Sequence, residues 1–126
     1  MIAHTAALLE ELLDDHILVL DGAMGTMIQA LRLDEAAVRG ERFKSHPKDL
    51  SRFADILCIT CADAITQIHR EYLEAGADIV ETNTFGASAV GMEEFEMRRE
   101  LVREINLTAA ACARLAVDEF NRRTSG

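Results

Sequence analysis

The apolar run Ile17-Leu18-Val19-Leu20 ends in Asp21-Gly22-Ala23-Met24-Gly25-Thr26, and this junction constrains the chain more than any other stretch. Four apolar residues in a row suit a short parallel strand buried on both faces. An acid and two glycines then make the backbone turn where that strand stops. In βα folds the chemistry sits at the carboxyl ends of strands. A carboxylate placed there holds an ammonium group, and the amides of a glycine-rich turn hold a carboxylate, so the pair suits an amino acid. The same residues also serve a purely structural turn, with Asp21 as its cap and Gly22 and Gly25 allowing positive φ.

The flanking segments predict an α/β chain. Residues 5–15 place Ala6, Leu8, Leu9, Leu12 and Leu13 among Glu10, Glu11, Asp14 and Asp15, an amphipathic helix with Thr5 as N-cap that would cover an end of the fold. Residues 24–33 read as a helix, and Asp34 caps a short one through Val38. From Gly40 to Phe53, with the only proline, Pro47, periodicity disappears and an ordered surface loop is expected. Residues 56–59 read as a short extended piece, after which Thr60 and Asp63 make a capping-box-like start. The helix that follows carries Ile65, Ile68, Tyr72 and Ala75 on one stripe and meets Gly76 as a left-handed cap.

Residues 78–82, Asp-Ile-Val-Glu-Thr, are a second strand, and Asn83-Thr84-Phe85-Gly86 repeats the theme of polar groups and glycine at a strand's end. The two loops should face the same side. Ser88 caps a short helix through Phe95. A long one from about Met97 carries Leu101, Ile105, Ala109, Cys112, Ala116 and Phe120 at helical spacing, with Arg122, Arg123 and Gly126 suited to its end.

The 126 residues, 49% of them hydrophobic, have the length of one domain and enough bulk for a core. A formal charge of -9 argues against nucleic-acid or anionic-membrane partners, which need a basic footprint. The apolar runs are short and the start lacks a signal-peptide pattern, which predicts a cytoplasmic chain. Three cysteines, an odd number, suit reduced thiols better than a disulfide framework.

Four stretches then fall together: residues 20–26, Arg39-Gly40-Glu41-Arg42-Phe43, Ile68-His69, and residues 72–85 with their Ala-Gly-Ala-Asp-Ile-Val-Glu-Thr-Asn-Thr-Phe core. In this order and spacing they resemble the start of the homocysteine S-methyltransferase domain, most closely the one that opens cobalamin-dependent methionine synthase. Glu104-Ile105-Asn106 and the alanine-rich helix look like its next helix. The resemblance implies a (β/α)₈ TIM-type barrel with a homocysteine site at the strand ends. Asp21 then resembles the acid that holds the substrate's amino group, and Gly22 and Ala23 supply backbone contacts to its carboxylate. Asn83 and Thr84 line the same pocket.

Such a barrel takes about 250 residues, so residues 1–126 are expected to hold its first two βα units behind an N-terminal helix, as part of a homocysteine-binding domain. The family activates the homocysteine thiol on zinc held by three cysteines from later strands, including an adjacent pair, and no Cys-Cys pair occurs here. Metal coordination matters because it yields a thiolate nucleophile. No catalytic residue, metal ligand or cofactor is therefore assigned to this chain alone; in methionine synthase, cobalamin would sit on another domain. The expectation is a piece of a methyltransferase, inactive by itself.

Cys58 and Cys61 form a C-x-x-C, half of a four-ligand zinc site with no second pair to complete it, and ordinary packed thiols are the simpler reading. Cys112 falls on an apolar helix face. His69 follows Ile68 and reads as a surface or packing residue, while Glu81 is either a buried acid with a raised pKa or a strand residue paired with a neighbour. A second functional reading is a non-catalytic assembly module built on this fold. Two strands with open edges make a poor monomer, so both readings predict self-association or a partner that supplies the rest of the barrel.

Overall fold

The computed structural model describes residues 2–125, so Gly126, expected at the end of the last helix, lies outside it. Seven helices account for most of that span: α1 (Ile2–Asp15), α2 (Met24–Ala30), α3 (Glu35–Arg39), α4 (Leu57–Thr60), α5 (Ala62–Ala75), α6 (Ala89–Glu93) and α7 (Glu100–Thr124). A 3₁₀ turn, Ala54–Ile56, runs directly into α4. Among the described residues no helix is long and apolar enough to cross a membrane.

The core is built where α5 and α7 pack together, with α4 against both. α7 buries Leu101, Ile105, Ala109, Cys112, Ala113 and Ala116 along one face, and its three small alanines leave room for the larger Ile65, Ile68, His69 and Leu73 of α5. Close interlocking of large and small side chains gives interiors their density. Phe53, Leu50, Ile56, Leu57 and Met92 fill the space beside this pair. The Phe53 ring stacks on Phe95, centroids 4.6 Å apart.

Several caps follow the expected chemistry. Asp34 accepts the Ala37 N–H at 2.8 Å and Ser88 accepts that of Gly91 at 3.0 Å. Gly76, at φ 113°, ends α5 with bonds from Gly76 N–H to Leu73 and from Ala77 N–H to Tyr72; a residue with a Cβ would be strained there. Loop 40–53 is ordered by Arg39, whose guanidinium donates to Glu35 and to the carbonyls of Phe43, His46 and Lys48.

Other expectations are corrected. Residues 56–59 are helical: the Thr60 hydroxyl turns back to the Ile56 carbonyl, as serine and threonine do inside helices, and α5 starts instead after Cys61 without a side-chain cap. α1 begins at Ile2, ahead of Thr5. It does not bury its stripe, since Leu8, Leu9, Leu12 and Leu13 all remain exposed.

The two predicted strands are reduced to one parallel bridge between Leu20 and Ile79, and no longer run of strand occurs among the described residues. Ile17, Val19 and Leu20 are exposed, Ile17 at 87%, because no described element lies over them. Burial on both faces, which the sequence pattern implied, is thus not met here.

The packing makes a sharp contrast on α7. Ile105→Ala empties a fully buried position and is expected to cost about 2–5 kcal/mol in urea unfolding. Leu107→Ala, at a position 55% exposed, should stay within about 0.5 kcal/mol.

Candidate functional site

The Leu20–Ile79 bridge is short but clipped at both ends. Its backbone bonds run from the Asp78 and Ile79 N–H groups to the Val19 carbonyl, at 2.8 and 3.2 Å, and from Asp21 N–H to the Ile79 carbonyl at 2.9 Å. Beyond them, side chains take over from the ladder. Asp78 Oδ2 accepts the Val19 N–H at 2.9 Å, and Asp21 Oδ2 accepts the Glu81 N–H at 3.0 Å. Each aspartate therefore satisfies a backbone donor on the other segment. Asp21 keeps remaining acceptor capacity, since a carboxylate has about four lone-pair directions. Glu81 itself is exposed, so the buried-acid reading is set aside; its contribution is its backbone N–H.

The turn after Asp21 rests on α5. The Tyr72 hydroxyl donates to the Ala23 carbonyl at 2.8 Å, and a Cβ on Gly22 would lie 3.0 Å from that hydroxyl. Close approach to Tyr72, not positive φ, is what favours glycine at this position; positive φ among the described glycines falls at Gly40 and Gly76.

The second loop is tied to the 3₁₀ turn and α4. Asn83 is buried, donating from Nδ2 to the Ala54 carbonyl at 2.9 Å and to Cys58 Sγ at 3.6 Å. The Cys58 thiol donates in turn to the Asn83 carbonyl at 3.5 Å. Thr84 shares a hydroxyl bond of 2.7 Å with Thr82. The Gly86 N–H donates to Asp55 Oδ2 at 3.0 Å.

Both loops border one cleft of about 630 Å³, which brings Asp21, Gly22 and Ala23 together with Asn83 and Thr84. That size suits a small molecule. Carboxyl groups of Asp21, Glu81 and Glu94 outnumber the guanidinium of Arg52 around it, which favours a ligand carrying an ammonium. Sequence reasoning missed Asp55, Arg52 and Phe95; an acid set between Ala54 and Ile56-Leu57 was the available signal for the first. A larger depression of about 860 Å³ lies at the start of α7 around Arg42, His46 and Arg98 and shares no residue with this cleft.

The buried titratable groups are shifted by their surroundings. Burial raises the Asp55 carboxyl above its ordinary value, against the bonds from Gly86 and its own amide. Burial lowers the imidazole of His69, opposed by the negative Asp21. His69 is fully buried with neither ring nitrogen hydrogen-bonded, which corrects any surface reading of it.

The thiols do not fit the zinc that the resemblance implies. Cys58 is buried and pushed up to about 12, away from the thiolate a metal needs. Cys61 and Cys112 donate to the carbonyls of Ala37 and Ala62. Among the described residues no three His, Cys, Asp or Glu side chains gather as a metal cluster.

A raised carboxyl pKa means that ionisation of Asp55 opposes folding. The associated stability is present below the unfolded-state pKa and is lost as pH rises through the folded one. Asp55→Asn should therefore raise the thermal midpoint relative to wild type more at pH 7 than at pH 4, measured by circular dichroism; an equal difference at both would contradict this.

The family model described as homocysteine S-methyltransferase matches residues 18–125. Among solved structures, the chain is similar to the metallated form of the homocysteine methyltransferase MmuM from Escherichia coli, with a TM-score of 0.71 and 20% identity. The match covers 93% of this chain and 36% of that one, so the shared fold spans about a third of the MmuM chain. The family match extends over most of the chain and includes both cleft loops, and the chain belongs to the homocysteine S-methyltransferase family.

Proposed function

We propose that this chain forms the amino-acid-binding part of a homocysteine S-methyltransferase of the methionine synthase type, contributing to the methyl transfer that makes methionine in the cytoplasm. One observation carries the reading: Asp21, Gly22 and Ala23 border the same acidic cleft as Asn83 and Thr84. In this account the free acceptor capacity of Asp21 takes the homocysteine ammonium, and the amides of Gly22 and Ala23 take its carboxylate. Thr84 offers a hydroxyl to the ligand. Asn83, whose amide is turned to Ala54 and Cys58, shapes the loop from within.

The paired segments around Leu20 and Ile79 act, in this reading, as the first two strands of the family's barrel. The exposed Ile17, Val19 and Leu20 and the bare leucines of α1 favour association with further strands, from a partner or from another copy of the chain. Thiol activation and cobalamin binding belong to other parts of such an enzyme, and no methyl transfer is expected from these residues alone. The same exposed apolar groups favour the second reading, an assembly module without catalysis.

Isothermal titration with homocysteine separates the two. Wild type should bind, and Asp21→Ala should weaken binding by about tenfold or more, the scale of a charge-assisted hydrogen bond. Equal affinities remove Asp21 from the site, and no uptake by wild type favours the assembly module. Light scattering should show mass increasing with concentration; a constant monomer mass over a wide range would count against association.

A further inference from the structure

The segment 54–58, whose Ala54 and Asp55 also border the cleft, holds the second cleft loop at three points. Two are ordinary polar contacts to Asn83, from the Ala54 carbonyl and the Cys58 thiol. The third is the Asp55 carboxylate, which accepts the Gly86 N–H at 3.0 Å. A Cβ on Gly86 would lie 3.1 Å from Asp55 Oδ1, so the absence of a side chain lets this amide come so close.

Asp55 is only 7% exposed, and among the described residues its carboxylate forms no ion pair. Burying a charge costs stability, and the Gly86 and Asp55 amides that bond this carboxylate offset the cost only in part. Stability gained from the charge therefore does not account for an acid here. Its bond to the cleft loop does.

We propose that Asp55 is a positioning residue of the ligand site: its carboxylate fixes loop 83–86, so that Thr84 stands with Asp21 around one cleft. The proposal rests on reading that cleft as an amino-acid site. Asp55 need not touch the ligand, because it acts through the Gly86 amide.

Amide hydrogen exchange and homocysteine titration on wild type, Asp55→Asn and Asp55→Leu test it. Both variants remove the buried charge; the Asn variant keeps an oxygen acceptor, while the Leu variant removes it. The Gly86 amide should exchange slowly in wild type and Asp55→Asn and about tenfold faster in Asp55→Leu, and homocysteine affinity should fall about tenfold in the Leu variant alone. The thermal midpoint of Asp55→Asn, which loses the charge and keeps an acceptor, should not drop below that of wild type.

Midpoint and affinity falling together in Asp55→Asn would mark a purely structural acid and overturn the proposal, as would a Leu variant that fails to fold. So would equal Gly86 exchange or equal affinity in all three proteins. If wild type takes up no homocysteine, the amino-acid reading fails, and the Gly86 exchange rates decide whether Asp55 holds the loop.

Discussion

The candidate site depends on two carboxylates that each reach across to the other segment's backbone. A single bridge between Leu20 and Ile79 has too few hydrogen bonds to fix two loops, since even a two-stranded sheet is marginal in water. Asp78 at one end and Asp21 at the other extend the pairing by one N–H each, to Val19 and Glu81. Asp21 is thus both a structural clip and the first candidate for ligand contact. Its place at the join explains why the loops after Leu20 and after Glu81 open on the same side.

The helices supply the rigidity that this pairing lacks. α5 and α7 form the packed base, and Tyr72 on α5 carries the first loop through the Ala23 carbonyl. The 3₁₀ turn and α4 carry the second through Ala54, Asp55 and Cys58. Each loop therefore hangs on a buried helical element, and both elements meet in one core. Sites held by rigid scaffolds lose less freedom when a ligand binds. The apolar groups of α1 and of residues 17–20 stand outside this base.

Much of this was legible from the residues. Periodicity found α5 and α7, because a buried helix face must repeat every three or four residues. Asp34, Ser88 and Gly76 marked their caps through local hydrogen-bond and backbone chemistry. The linked motifs around Asp21 and Asn83 placed both loops at one cleft. What pattern missed has a common cause. Residues 56–59 are apolar throughout, and a short apolar run has no period to separate strand from helix. Ile17 and Val19 are hydrophobic enough for burial on both faces, but hydrophobicity records what a segment tolerates and not what covers it in this chain. Asp55 stayed hidden because its partner, Gly86, lies 31 residues away, and the Phe53–Phe95 stack is more remote still in sequence.

The central claim is that the two clipped loops act together as one amino-acid site. Backbone amide chemical shifts followed by nuclear magnetic resonance during addition of homocysteine test it most directly. The account predicts that the amides of Gly22 and Ala23 on one loop, and of Asn83 and Thr84 on the other, shift together with one midpoint, while those around Arg42 and Arg98 stay still. Shifts confined to one loop, or appearing at the depression beside α7 instead, would contradict it.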